Sequence, residues 1–435
     1  MTERPSSYAV LRIPTYRRFL AAAISQSVAM WTFQTVLIWV ILEQTGSGGS
    51  VSLLLISLTV SWLICSLPAG VLADRYDVRR LMLAGQTVGA LVMAGTALVT
   101  ASGNMSLAVG MAAMFAIGIF DSFTNVPAMV FVGRLVEPRL MAGAIGLSAL
   151  QYGFGRITGG LLTGVAIALI GAGGTIALAG GLLGLAALIV LTLPSLPRLE
   201  TSPGRASLRD LTAAVRWFRA SPPSVALMVL GLGAAIFVYS YFTLLPIVAR
   251  DVLGAGAQGL GLLTSAGGAG ILIASLLTDV VGRRFGRGRA VVITVVLAAL
   301  AFAGVGLSTW LPLSLVFVTA MTVFLGVYRV TSQLLLQHLA PARMRGRVLA
   351  VFELSFWGIY PLGTIAAGTL ADAFGAPAVI VSFAAAALVS AGLALLSARN
   401  LPQLDIDRDG QVVLDRRAAG ATPEPAIRER AQDSV

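Results

Sequence analysis

Residues 69–81 read AGVLADRYDVRRL, two Asp and three Arg within thirteen positions that follow a long, almost uncharged run. Such a knot of charge is out of character for the chain. Of 435 residues, 57% are hydrophobic and 11% charged, with a mean hydropathy of +0.89, whereas soluble domains carry about 25% charged residues. The composition excludes an ordinary water-soluble domain, and the charged stretch reads as a turn between two membrane spans. On both sides of it, apolar runs long enough to cross a hydrocarbon core recur. They cover roughly 19–42, 51–73, 81–101, 106–132, 141–169, 173–194, 224–248, 258–280, 289–309, 312–337, 346–371 and 376–398. A bilayer has no water to satisfy exposed N–H and C=O groups, so these twelve runs predict helices rather than strands.

The net charge of +11 comes from thirty Arg without one Lys. A basic balance raises nucleic acid as a partner, but the placement of the charge argues for a lipid bilayer and no nucleic acid. With the N-terminus cytoplasmic, alternate loops hold Arg75, Arg79 and Arg80, then Arg134 and Arg139, then Arg198, Arg205, Arg209, Arg216 and Arg219, then Arg283, Arg284, Arg287 and Arg289, then Arg343, Arg345 and Arg347. The intervening loops hold only Arg250. This is the positive-inside asymmetry, and it predicts both termini in the cytoplasm. No cleavable signal peptide is expected, because the first apolar run is too long for one. The lone Cys65 lies inside the second run, so neither a disulfide framework nor a metal cluster is expected.

Internal repetition divides the chain. Asp74 has a counterpart 205 residues later in Asp279, Pro138 matches Pro341 at 203, Gly164 matches Gly368 at 204 and Gly171 matches Gly375 at 204. The near-constant offset predicts two six-helix halves of the same orientation, 19–194 and 223–398. They are joined by a polar linker at 195–222 and flanked by a segment at 1–18 and a polar, disordered tail at 399–435. A parallel repeat of six plus six spans places a substrate site near the midplane between the halves.

With that layout, Gly70-x-Leu72-Ala73-Asp74-Arg75-x-x-x-Arg79-Arg80 resembles the signature loop between the second and third helices of the major facilitator superfamily. The resemblance implies an all-α membrane fold of twelve helices in two pseudo-symmetric bundles. It implies that Gly70 permits close helix approach, that Asp74 holds a neighbouring helix N-terminus, and that Arg75, Arg79 and Arg80 complete a charge latch. Asp279 and Arg283 are the counterparts in the second half. Asp77 stands where the pattern has Gly, and Val78 where it has Arg. The DRYD variant and the blocks at 11–26, 118–164 and 345–376 are similar in order and spacing to the branch containing the enterobactin exporter and macrolide efflux proteins, the transmembrane secretion effectors. Gly146, Gly155, Gly159, Gly160 and Gly164 resemble a glycine-rich antiporter pattern, although small residues also serve close helix packing in lipid.

Ionisable residues at bilayer depth are candidates for function by default. Asp121 lies thirteen residues before Arg134, about 20 Å along the fourth span at the helical rise. Arg156 in the fifth span lies at similar depth, Arg329 falls in the tenth and Glu353 in the eleventh. The expectation is that Asp121 is a proton-coupling carboxylate with Arg156 beside it, the alternative being a permanent ion pair. Arg329 and Glu353 read as an interhelical pair or gate. Polar and aromatic candidates for a substrate cavity are Gln26, Trp31, Gln34, Asn125, Gln151, Tyr152, Tyr239, Gln333, Trp357 and Tyr360. Such a mixture suits an amphipathic organic molecule. Tyr239 and Tyr241, two apart on one helix, are expected on different faces. Residues 405–410 imitate the start of a calcium loop, but Arg416 stands where the bidentate Glu is required, so no metal is expected.

With one His and one Cys the chain offers little to a membrane enzyme, and no cofactor is implied. No Walker loop occurs, so an ion gradient is the expected energy source. The resulting expectation is a monomeric, proton-coupled exporter of a drug, siderophore or secondary metabolite in a bacterial cytoplasmic membrane. A small-solute importer and a transport-inactive sensor or scaffold remain alternatives, because the fold alone does not set direction.

Overall fold

The computed structural model describes residues 9–195, 208–341, 344–398, 400–406 and 412–414. Helix α1 (Pro14–Thr45) opens on a Pro in its first turn, where a missing N–H costs nothing, and stops at Gly46, whose φ of 66° lets its N–H reach back to Leu42 O. After it, α2 (Gly48–Arg75) is capped by Ser47, α3 (Val78–Ala101) by Asp77 and α4 (Leu107–Leu135) by Ser106, each side chain accepting from a first-turn N–H.

The fifth and sixth runs are continuous as α5 (Met141–Val190), but Gly171 is non-helical at φ 71° and ψ 175°. A straight helix of that length would measure about 75 Å at the helical rise, far more than a bilayer core of about 30 Å. The chain therefore reverses at Gly171. Before it, Tyr16 Oη donates to Ala144 O at 3.3 Å and Thr163 Oγ1 to Thr32 O at 3.4 Å, so this limb runs alongside α1. Beyond it, a side chain at Gly173 would meet Ala97 and Ala101 late in α3, while Arg79 at the start of α3 donates to Leu191 O, so that limb returns antiparallel to α3.

In the second half an amphipathic helix, α6 (Leu208–Ala220), precedes the seventh span. That span is broken into α7 (Pro222–Gly233), a π-helical turn at Ala234–Val238, α8 (Tyr241–Ile247) and a second π-turn at Val248–Val252. There follow α9 (Gly256–Phe285), α10 (Arg287–Leu307), α11 (Leu311–Leu339), α12 (Arg345–Phe374) and α13 (Ala376–Ser397). Among the described residues eleven stretches are long and apolar enough to span a membrane, and the 48-residue stretch Gly143–Val190 crosses twice, which makes twelve crossings there.

Three local expectations differ from the structure. The linker is not merely polar: Ala214 and Phe218 lie on one face of α6 and are buried against the second bundle. Residues 196–207 of it are outside the described residues. Part of the tail is ordered, because β1 (Leu404–Ile406) pairs antiparallel with β2 (Val412–Leu414), Arg287 bonds Ile406 O at 3.3 Å and Leu401 and Leu404 are fully buried. Asp405, the first position of the calcium-like stretch, pairs with Arg287 at 3.6 Å, and the rest of that loop and tail, 407–411 and 415–435, is outside the described residues, as are 1–8. Finally, Tyr239 and Ser240 interrupt the helix, so Tyr239 and Tyr241 do not diverge: their rings are 6.5 Å apart.

The two bundles meet unevenly. We call the end of the molecule where α1 begins and α13 stops the terminal face, and the opposite end the far face. One buried core joins both bundles toward the far face, from Phe33 and Leu54 in the first half to Leu244 and Phe302 in the second. Toward the terminal face there are two separate cores, one made only of first-half residues such as Phe19 and Phe131, the other only of second-half residues such as Tyr328 and Phe352. The halves are fused at one end and parted at the other.

Candidate functional site

The far-face closure is made by helix ends. Asp372, at the end of α12, accepts from Ser47 Oγ at 2.6 Å, Gly48 N at 2.5 Å and Gly49 N at 3.0 Å, which satisfies the unpaired N–H groups that open α2. Beside it, Arg250 donates at 2.8 Å to Leu42 O, which also accepts from Gly46 N, and at 3.2 Å to Gly46 O, at the carbonyl end of α1. A carboxylate on a helix N-terminus and a guanidinium on a helix C-terminus both complement the helix dipole. One step inward, Ser52 donates to Thr364 O at 2.6 Å, again from α2 to α12. The second seam, α5 against α9, is lined by Gly153, Gly160, Gly261 and Gly268, where an added side chain would strike backbone or side-chain atoms of the facing helix. Without side chains there, the two helices approach to backbone contact.

Below this closure lies a layer of aromatic rings. Tyr152 and Trp31 of the first bundle meet at 5.6 Å, and Trp31 stacks on Phe242 of the second at 6.0 Å. The layer continues through Tyr241 (4.2 Å), Tyr239 (6.5 Å), Phe356 (4.9 Å), Trp357 (5.4 Å) and Tyr360 (5.8 Å), and returns to the first bundle through Trp62 at 6.3 Å from Trp357. The broken seventh span makes this possible, since a regular helix would turn Tyr239 and Tyr241 apart.

Charged groups occupy the two ends of the layer. Arg329 Nη2 donates to Glu353 at 2.5 Å, Gln333 Nε2 donates to the other carboxylate oxygen at 2.5 Å, and the guanidinium lies 4.1 Å from the Phe356 ring centre. At the opposite end, Arg156 is 1% exposed and lies 4.9 Å from the Trp31 ring, 4.8 Å from Phe242 and 5.6 Å from Tyr241. The structure does not pair Arg156 with Asp121: no ion pair joins them among the described residues. Asp121 instead accepts from Asn125 at 2.7 Å, and Gln26 bridges Asn125 (3.5 Å) and Gln86 (3.0 Å). A permanent Asp121–Arg156 bridge is therefore set aside. The reason is local: Asn125, one turn beyond Asp121 on the same helix, claims the carboxylate, while the aromatic faces claim the guanidinium.

Of the other candidates, Gln34 lines a small cavity with Trp31, Thr35, Arg156, Phe242 and Thr264. Gln151 donates to Ala23 O at 2.9 Å and so holds α5 to α1. Tyr360 is 4% exposed beside Trp357. The terminal-face group stays apart from the cavity. Asp74, Arg75, Asp279 and Arg283 are exposed, and no side-chain hydrogen bond or ion pair joins them to any described residue. Asp74 holds no helix N-terminus here, while Asp77 caps its own helix α3, accepting from Arg79 N at 3.0 Å, and lies 4.0 Å from Arg80. Reading the sequence missed Phe242, Phe356, Trp62, Gln86 and Gly267. It also missed Asp372, whose signal was legible as GTLAD, a second copy of the GVLAD in the opening stretch.

Two bundles of six crossings, closed over one end of a central cavity that holds buried charge and aromatic rings, define a membrane transporter of the major facilitator superfamily and not an enzyme. The chain belongs to the transmembrane secretion effector family, which matches residues 5–419. No curated protein matches it. Among solved structures it is similar to the nucleoside transporter NupG, with a TM-score of 0.73 at 13% identity over 88% of this chain and 99% of that one. It is also similar to a bacterial homologue of the human lysosomal transporter Spinster, in an inward-facing and unoccupied conformation, with a TM-score of 0.71 at 17% identity over 89% and 98%. A POT family transporter in complex with 5-aminolevulinic acid aligns with a TM-score of 0.72 at 14% identity, over 88% and 96%. At these identities the likeness is one of fold.

Proposed function

We propose that the chain exports an amphipathic small molecule from the bacterial cytoplasm by alternating access, driven by protons moving the other way. The observation that carries this reading is the unequal joining of the bundles, with one core across the far face and two at the terminal face. Arg-rich loops assign the terminal face to the cytoplasm, so the cavity is open on the side where an exporter loads. Asp121 is half-buried, with its hydrogen-bond partner Asn125 exposed one turn away and Tyr152 exposed on the fifth span. It is the proton carrier in this reading, since Glu353 is already tied to Arg329 and Gln333. A monomer suffices, because both halves of the cavity come from one chain.

Inverted membrane vesicles test the proposal. A panel of lipophilic drugs and catecholate chelates is offered with and without an imposed proton gradient. At least one compound is expected to accumulate only with the gradient, and Asp121→Asn is expected to abolish that accumulation at normal expression. Gradient-driven transport unchanged in Asp121→Asn would remove the proton role from this residue.

A further inference from the structure

The two guanidiniums of the cavity are not equivalent. Arg329 brings its own counter-ion, Glu353, and a second donor, Gln333, shares that carboxylate. Arg156 brings none. Among the described residues it is the largest fully buried side chain, and its Nε and Nη2 have no acceptor there. Those two nitrogens form one edge of the guanidinium, the fork that matches the two oxygens of a carboxylate. Its contacts to Trp31 and Phe242 are made by ring faces, which offset part of the charge but accept no conventional hydrogen bond, and the Tyr241 hydroxyl within its reach is neutral and supplies no counter-charge. A cation held at this depth without an anion is costly, and one that is seated with care asks for a reason. The seat is Gly267 of α9: a side chain there would occupy the space that Nη2 and Cζ now fill. Arg156 also lines the small cavity with Gln34, Thr35 and Thr264, about 20 Å³ of room, enough for one or two water-sized groups. That is the size of an anionic headgroup and not of a whole organic molecule, whose body would lie along the aromatic rings of Trp31, Tyr152 and Phe242.

We infer that Arg156 is the anion-binding group of the cavity, and that the transported molecule carries a carboxylate, or a planar anion of the same shape, on an aromatic body. This rests on the transport reading above, but its test needs no transport. The full chain in phosphatidylcholine nanodiscs is titrated at equilibrium with radiolabelled 2-naphthoate and with neutral 2-naphthamide, empty discs giving the background. Naphthoate is expected to bind about tenfold or more tighter, as hydrogen bonds to a charged group predict. Arg156→Gln should erase that preference and leave naphthamide binding within about twofold, and Arg156→Lys, a charge without the fork, should keep only part of it. A preference undiminished in Arg156→Gln, or absent from the unmodified chain, overturns the inference. Should Arg156→Gln fail to fold, Gly267→Ala displaces the guanidinium without removing its charge. A loss of preference by about threefold or more then supports the inference, and no loss overturns it. Sodium acetate that competes at the same concentration as naphthoate overturns the assignment to a transported molecule in favour of a free small anion. Vesicles that move no compound while naphthoate binding stays Arg156-dependent sink the transport reading and leave the subsite standing.

Discussion

Residues 70–74 read GVLAD at the terminal-face end of α2, and residues 368–372 read GTLAD at the far-face end of α12. The two helices are antiparallel neighbours, so nearly the same five residues close opposite ends of one seam. Their surroundings differ at every position that matters. A side chain at Gly368 would collide with Gly48 backbone and Ser52, whereas one at Gly70 would find only Val126, 4.0 Å away. Asp372 holds three donors of the α2 N-terminus, whereas Asp74 is exposed without a partner among the described residues. A motif of this kind has contacts only when its end of the seam is shut. The far-face copy is engaged and the terminal-face copy is waiting, as a transporter with one open end requires.

The largest expected effect comes from the glycines. Overpacking a close helix contact costs about 1–3 kcal/mol, and each 1.4 kcal/mol is about tenfold in an equilibrium. Gly368→Val should therefore open the far face by about ten- to a hundredfold, read as a longer distance between spin labels at Gln44 and Phe374 in a Cys65→Ala background. Gly70→Val should leave that distance distribution unchanged. Next comes Asp372→Asn, which keeps the shape and removes the charge from three hydrogen bonds, one of which is to a side chain. Discounted for exposure, the expected opening is about tenfold by the same labels. Asp74→Asn should not open the far face. Equal shifts for the two Asp variants would dissolve the contrast between the copies.

Arg250→Gln is expected to do less, about threefold, since it removes a charge from the carbonyl end of α1 while leaving the Asp372 cap in place. Smallest of all is Arg80→Ala: the pair with Asp77 is long at 4.0 Å and its Arg side chain is 87% exposed, so a change of under about twofold in any opening is expected. A large effect of Arg80→Ala would mean that the terminal-face charges act in this conformation, against the assignment of that end as unlatched.

Much of the fold could be read from local pattern because lipid leaves a chain few choices. Twelve apolar runs had to be helices, and Gly46, Ser47, Asp77 and Ser106 ended or began them by side-chain and backbone chemistry that is local in sequence. The halves showed in the offset between Gly171 and Gly375, and both glycines do turn the chain, at φ 71° and 80°. The site was less legible. Arg329 and Glu353 are 24 residues apart and could be matched as opposite charges on neighbouring spans, and the structure joins them. Asp121 and Arg156 invited the same match, and the structure separates them, because Asn125 and three aromatic faces compete for the two groups. Hydropathy cannot register such competition. Nor does it show the π-turn that brings Tyr239 alongside Tyr241, since this depends on how α7 and α8 pack and not on the apolar count of the run.

By itself, then, the order of residues determined that this chain spans a bilayer, how often, in what two halves and with which face basic. These follow from the free energy of single segments in lipid, which each segment settles on its own. Only the packing of one bundle against the other decided which end is shut, which copy of the GxLAD pattern holds a helix and which guanidinium lacks a counter-ion. Those are properties of contacts between segments hundreds of residues apart, where several partners of equal chemistry compete and geometry selects one.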